Sequence, residues 1–398
     1  MQNRYEISRL LKTGSMGAVY VALDHRLHNS VAVKELRNDD DFSASDCEVL
    51  SHAFKQEAQL LANLRHTAIP TVLDYFSENG NQYLVMELVP GIDLAELLRR
   101  QKVLPEISQV FDWANQLLEV LEYLHNQKIP VIHRDIKPSN IKLMQSGAIK
   151  LLDFGIAKSA LMTEIQQPAE MSLRMATLEY APLEQAMKAS SQWRTALYAV
   201  NPTRVQEFSH SRTDARTDLF SLSATCYRLL TGELPVDSQI RALAIWTGKP
   251  DPLVPIRALR EGIPTAFADS IMQCLALEPT ARFDSAFQMR KRLNQAESCD
   301  LAAMPSQISP SNQFIQNRYS FEELIMQFAE IRQRINFLNF ETNEAKELVE
   351  IERQKRESLE IKLREATRRE KAEAQHRRAL EAKWLNMESQ LNQLEMKN

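Results

Sequence analysis

Between His133 and Gly155 the chain reads HRDIKPSNIKLMQSGAIKLLDFG, which concentrates the residue types that phosphoryl transfer needs. Asp135 and Asp153 stand around Lys137, Asn140 and a closing glycine, with short apolar runs of strand character between them. A loop aspartate can orient a hydroxyl nucleophile, an asparagine and a second aspartate can hold Mg2+, and a lysine can face the transferring phosphate.

Such residues need a surface that grips phosphates from the opposite side, and the preceding chain has the elements for it. Arg4 to Val21, RYEISRLLKTGSMGAVYV, reads as a hairpin with a small-residue centre. Gly14 and Gly17, with Ser15 between them, carry no side chain to block a phosphate. Two glycines alone also fit a plain turn. Lys34 follows in VAVKEL, which alternates as a strand, and the sequence predicts a helix over Ala44 to Leu64 that carries Glu57. Singly, a strand lysine and a helix glutamate both face solvent; together they can form an ion pair that aims an ammonium at phosphate oxygens. TVLDYFSENGNQYLVMELVPG then reads as two strands about an Asn79-Gly80 turn.

The bulk numbers narrow the class. With 398 residues and 44% hydrophobic content, the chain can hold two domains and an extension. A net charge of −4 gives no whole-chain attraction for nucleic acid or an anionic membrane. Cys47, Cys226, Cys274 and Cys299 are scattered without zinc or disulfide spacing, and neither a signal pattern nor a membrane-length apolar run is found. These features predict reduced thiols in a cytoplasmic protein without a membrane span.

Gly14, Gly17 and Val19, then VAVK, Glu57, MELVPG, HRDIKPSN, DFG and Arg282 in EPTARF occur in the order and spacing of a protein-kinase catalytic domain. Over about residues 5–293 the chain resembles a bacterial eukaryotic-like (Hanks-type) serine/threonine protein kinase. The resemblance implies an α+β, two-lobed fold with a β-rich N-lobe (about 5–88) and a larger helical C-lobe (about 89–293). It implies ATP and Mg2+ as cofactors and protein hydroxyls as substrates. Gly14 and Gly17 would cover the phosphates, Val19 and Ala32 would pack on adenine, and Lys34 paired with Glu57 would hold phosphate oxygens. Met86 would be the gatekeeper, with Glu87 and Val89 offering backbone groups to adenine and Asp93 near the ribose. Asp135 would be the catalytic base, Lys137 the γ-phosphate partner, and Asn140 and Asp153 the metal ligands. Lys137, two residues after Asp135, marks the serine/threonine class. Leu61, His133 and Phe154 would stack between the lobes.

The same resemblance implies that Arg134 receives a phosphate from the loop after DFG, which offers Ser159, Thr163 and Ser172. It gives Thr177 a structural contact with Asp135 and Lys137, and it pairs Glu184 with Arg282. Asp218 would head the helix beneath the catalytic loop. The segment 187–213 is an insertion relative to the family, expected to cover the lobe, with docking of a partner as the alternative. Departures from the family pattern are Lys12 at the first phosphate-loop glycine, Lys142 beneath adenine, and Ala176, Leu183 and Ser223 at further positions.

Residues 297–318 are rich in Ser, Pro, Asn and Gln and read as a linker. From 319 to 398 a heptad register runs through Phe321, Phe328, Ile335, Val349, Leu363, Trp384 and Leu391, interrupted by Glu352, Arg356, Glu370, Glu373 and Arg377. It predicts a coiled coil and a homodimer that favours autophosphorylation in trans. A long helix folded back on itself or on the kinase-like region is the alternative. The basic run around 364–378 is interspersed with glutamates and reads as a solvated face. Two rivals to the enzyme reading are a pseudokinase scaffold that binds ATP and a coiled-coil interaction protein.

Overall fold

The run NSVAVKEL divides its side chains as a two-faced strand must: Val31 and Val33 enter one buried cluster, and Leu36 enters another. The computed structural model describes residues 1–14, 17–36, 44–100, 103–154 and 178–300. Five antiparallel strands, β1 (Tyr5–Gly14), β2 (Gly17–Asp24), β3 (Asn29–Leu36), β4 (Val72–Glu78) and β5 (Asn81–Glu87), form a sheet in the order β1-β2-β3-β5-β4. Helix α1 (Ala44–Asn63) lies between β3 and β4 in the chain and packs against β4 and β5. Asn79 and Gly80 both have positive φ, 52° and 83°, as a two-residue hairpin of matching twist requires.

This sheet curls until its edges meet. Arg4, at the entrance to β1, donates to Asp24 at 2.7 Å and to Asp74 of β4 at 3.1 Å, and the Tyr5 hydroxyl donates to Asp74 at 2.9 Å. The guanidinium holds the Asp24 carboxyl down to about 2. Within the curl, Tyr5 and Phe76 stack with ring centroids 5.8 Å apart. Gly17, at the start of β2, has φ of 149°, and a Cβ there would lie 1.8 Å from the Glu35 carbonyl oxygen. The approach of β3 therefore requires glycine, apart from any need of a phosphate.

After Val89 the chain becomes mainly helical. The elements are β6 (Ile92–Asp93), α2 (Leu94–Arg100), α3 (Ile107–His125), β7 (Ile141–Leu143), β8 (Ile149–Leu151), α4 (Leu183–Ala189), α5 (Ser191–Tyr198), α6 (Pro202–His210), α7 (Ala215–Thr231), α8 (Ser238–Trp246), α9 (Ile256–Leu259), α10 (Thr265–Cys274) and α11 (Ala286–Asp300). Strands β6, β7 and β8 form a small antiparallel sheet. Helix α3 buries Val110, Trp113, Leu117, Leu121 and Leu124 on one side, while α7 is buried almost all round and forms the axis of this lobe. Phe54 and Leu61 of the first lobe share one continuous core with Leu118, Phe154, Leu222 and Phe267 of the second. The observed elements match the expected β-rich and helical lobes, and α1 ends one residue short of the expected Leu64.

Most of 187–213 is helical, comprising the end of α4 with α5 and α6. Leu197, Val205 and Phe208 are buried, and Phe208 meets Trp246 of α8 at 5.9 Å between ring centroids. The segment thus packs part of its apolar surface against α8. At the other end α11 continues to Asp300, so Glu297 to Asp300, read from sequence as the start of a linker, are helical. Physically, no glycine or proline interrupts the chain between Ala286 and Pro305. The rest of the linker and the coiled-coil register lie outside the described residues.

Glu184 on α4 and Arg282 form a bidentate pair, at 2.7 and 3.0 Å, with both side chains buried. Arg282 also donates to the carbonyls of Ala276 and Leu277 and stacks over Phe220 at 4.9 Å. Glu184→Ala strands a buried guanidinium and is expected to lower the unfolding free energy by about 3 to 5 kcal/mol in urea denaturation. In the double variant with Arg282→Met the loss should be smaller than the sum of the two single losses, because both remove one shared interaction.

Candidate active site

The loop from His133 to Asn140 cannot be held by side-chain packing alone, because Arg134 sits at φ 64°, in the left-handed region that an arginine rarely adopts. Asp218, fully buried in the first turn of α7, supplies the restraint. Its two carboxylate oxygens accept the backbone N–H groups of His133 and Arg134, both at 2.8 Å, and His125 lies 2.9 Å away. From α4, the Gln185 side-chain amide donates to the Arg134 carbonyl at 2.7 Å. His133 is buried, contacts the Leu152 carbonyl at 3.1 Å and packs against Phe154 at 4.5 Å between ring centroids. Leu61 belongs to the same core as Phe154.

Three polar side chains converge on this loop. Lys137 Nζ lies 3.1 Å from Asp135 Oδ1, and Asn140 Nδ2 donates to Asp135 Oδ2 at 2.8 Å and to its carbonyl oxygen at 2.9 Å. A single 3-10 turn, Pro138–Asn140, sets that spacing, and Pro138 begins it with the φ the turn needs. Asn140 Oδ1 is buried and makes no hydrogen bond among the described residues. From β8 the chain returns through Leu152, whose N–H donates to the Asn140 carbonyl at 2.8 Å, and reaches Asp153, itself at φ 53°.

Across the cleft, Lys34 Nζ is 2.7 Å from Glu57 Oε1 and 3.7 Å from Asp153 Oδ1. Burial alone would lower the Lys34 pKa. The carboxylates of Glu57 and Asp153 outweigh it and hold the ammonium above its ordinary value. Lys12 Nζ lies 3.8 Å from the other oxygen of Asp153. Ala32, on the next strand position to Lys34 but one, is buried, while Val19 and Met86 are half-buried.

The candidates that the structure describes come from elements of both lobes. Val19, Ala32 and Lys34 come from β2 and β3, Glu57 from α1, and Glu87 ends β5, two residues before the buried Val89. Gly91, past that connection, has φ of 107° and would place a Cβ 2.0 Å from the Leu143 carbonyl oxygen. Asp93 accepts the Glu96 N–H at 2.7 Å, and Lys142 pairs with Asp93 through the backbone and is half-buried. Ser15, Gly155, Ser159, Thr163, Ser172, Ala176 and Thr177 lie outside the described residues.

Sequence reasoning did not single out Lys150, whose ammonium donates to the Glu87 carboxylate at 2.8 Å and ties β8 to the end of β5. The available signal was a lysine set between apolar residues in AIKLL, just before DFG. Gln185 and the reach of Lys12 to Asp153 carried no comparable signal.

A model of the protein kinase domain matches residues 5–292. The chain belongs to the protein kinase family. It is 32% identical over 305 residues to the serine/threonine-protein kinase PknB of Mycobacterium leprae, covering 75% of this chain and 44% of that one. It is 35% identical over 297 residues to a probable serine/threonine-protein kinase of Streptomyces coelicolor, covering 72% and 39%. The chain spans about two fifths of the length of these curated relatives. Among solved structures, the apo form of PpkA-294 matches with a TM-score of 0.58 at 25% identity, over 73% of this chain and 96% of that one. The kinase domain of Mycobacterium tuberculosis PknI shares the fold, with a TM-score of 0.51 at 23% identity over 74% and 96%.

In this kinase domain, burial lowers the His133 pKa, although Asp218 and Asp135 oppose the shift. Because the folded value lies below the unfolded value of about 6.5, unfolding takes up a proton as the pH falls. The contribution to stability is full above that unfolded value and declines below it. Thermal unfolding between pH 7.5 and 5 should therefore show a falling midpoint, and His133→Phe should reduce that slope.

Proposed function

We propose that this chain is a serine/threonine protein kinase that uses ATP and Mg2+ to phosphorylate protein hydroxyls. The observation that carries this reading is the meeting of groups from both lobes. Lys34, fixed by Glu57 in the first lobe, faces Asp153 in the second, while Asp135, Lys137 and Asn140 stand together on the adjoining loop. Opposite charges are paired throughout, and the paired lysine remains charged.

The donor set suits a hard cation. The buried, unpartnered Asn140 Oδ1 and the Asp153 carboxylate are oxygen ligands of the kind that hold Mg2+ with phosphate oxygens. When bound, Mg2+ neutralises charge on the phosphates. Lys34 would grip α- and β-phosphate oxygens, and the backbone of Glu87 and Val89 would meet adenine, with Val19 and Ala32 against its face. The half-buried stem of Lys142 would lie beneath it. Asp135 would orient the substrate hydroxyl and receive its proton as the hydroxyl oxygen bonds to the γ-phosphorus. The bond from that phosphorus to the oxygen of the departing ADP breaks in the same displacement, and Lys137 stabilises the charge on the transferring group. Lys137 at this place in the loop supports serine and threonine as acceptors.

Labelled ATP should transfer phosphate to the chain itself and to a generic serine/threonine substrate, and Asp135→Asn should lower the rate by about 10²- to 10⁴-fold. A wild-type protein that incorporates no label into either would sink the reading.

The heptad register supports a homodimer that phosphorylates its partner copy during signalling. The buried free thiols of Cys226 and Cys274 support a reducing, cytoplasmic setting. Among the described residues no helix is long and apolar enough to cross a membrane. Light scattering on the full chain at micromolar concentration should give twice the chain mass of 45.7 kDa. A monomer mass would remove the dimer.

A further inference from the structure

Lys12 stands where the family places its first phosphate-loop glycine, and the structure shows how it comes to face the cleft. Strand β1 pairs Leu10 with Tyr20 and then Lys12 with Val19, so the register gains a residue at Leu11. Such a bulge turns the following side chain to the other face. Val19 in turn pairs with Lys34 on β3. Directly opposed residues share a face of the sheet, so Lys12, Val19 and Lys34 form one cross-strand row above the cleft. In unbroken register Leu11 would oppose Val19. With the bulge, the Lys12 ammonium reaches Asp153 Oδ2 at 3.8 Å while Lys34 reaches Oδ1 at 3.7 Å. Each oxygen of this carboxylate faces one ammonium.

We propose that Lys12 is a placeholder cation for the metal site: it balances Asp153 while no divalent ion is present and gives way when Mg2+ arrives. This rests on the kinase reading above. Without a metal, a polyphosphate entering the cleft meets Asp135, which Lys137 faces, and Asp153, which shares Lys34 with Glu57. Lys12 adds positive charge beside Asp153. It is half-exposed on a flexible stem, so its withdrawal costs little desolvation. Once the metal binds Asp153, like charge drives the ammonium away. Lys12 therefore acts selectively on the metal-free nucleotide and thereby reduces how strongly nucleotide binding depends on Mg2+.

The test is calorimetric titration of the full chain with ATP, once in EDTA and once in saturating Mg2+, for wild type, Lys12→Met and Lys12→Arg. Lys12→Met should raise the Kd for metal-free ATP by about threefold to fivefold, the scale of a partly exposed ion pair. Its Kd for Mg·ATP should stay within about twofold of wild type, because the metal has already displaced the lysine. Lys12→Arg should keep the wild-type ratio of the two constants. An equal rise in both constants would make Lys12 an ordinary phosphate anchor and overturn the proposal. No rise in either would make it a solvated lysine, with the same consequence. If the wild type binds ATP under neither condition, the kinase reading fails as well.

Discussion

A single buried carboxylate sets the geometry on which the site depends. Asp218 has no exposed surface and is placed by the most completely buried helix of the second lobe. An ionised carboxylate in that position is tolerable only when its oxygens are occupied, and the N–H groups of His133 and Arg134 occupy them. The exchange works in both directions. The backbone is bent into a left-handed residue to present those donors, and the charge is stabilised by the bend. Asp135, the next residue, inherits its direction from this arrangement.

The same constraint recurs at two further buried charges. One oxygen of Glu57 meets a lysine that also faces Asp153, and both oxygens of Glu184 meet an arginine that spans α4 and the approach to α11. Removing one partner of either pair would leave a buried charge without that counter-ion. A helix α1 rotated so that Glu57 faced outward would leave Lys34 beside Asp153 alone. The Lys34–Glu57 pair therefore links the placement of a helix in one lobe to the charge balance at a loop of the other. Apolar packing makes the lobes cohere, since Leu61 and Phe154 share a core, but it sets no comparable polar direction.

Much of this was legible in the sequence because chemistry-bearing residues sit at fixed spacings from turn and strand signals. Asp135, Asn140 and Asp153 are separated by a 3-10 turn and two short strands whose lengths are set by their apolar runs. Lys34 and Glu57 were legible only as a pair, from a strand and a helix that each read clearly. What could not be read was contact between distant backbone segments. Gly17 looked like a residue that admits a phosphate, and the structure shows it also admits the Glu35 carbonyl. The bond from Lys150 to Glu87 joins strands of two different sheets, and no local pattern announces it. Helix α11 runs past Glu297 to Asp300 because the polar residues there include no glycine or proline to end it.

Register is the deeper reason that the reach of Lys12 to Asp153 is not legible in the sequence, although Lys12 itself stands out as a departure. Alternation along RLLKTG places Leu11 and Lys12 on opposite faces, but it does not say which of them opposes Val19. That choice belongs to the bulge, which arises from pairing between strands and leaves no unambiguous local pattern. One additional residue in the strand exchanges an apolar side chain for an ammonium that reaches Asp153. A departure from a family motif can thus carry its effect through strand register as well as through the substituted side chain, and at this position the two act together.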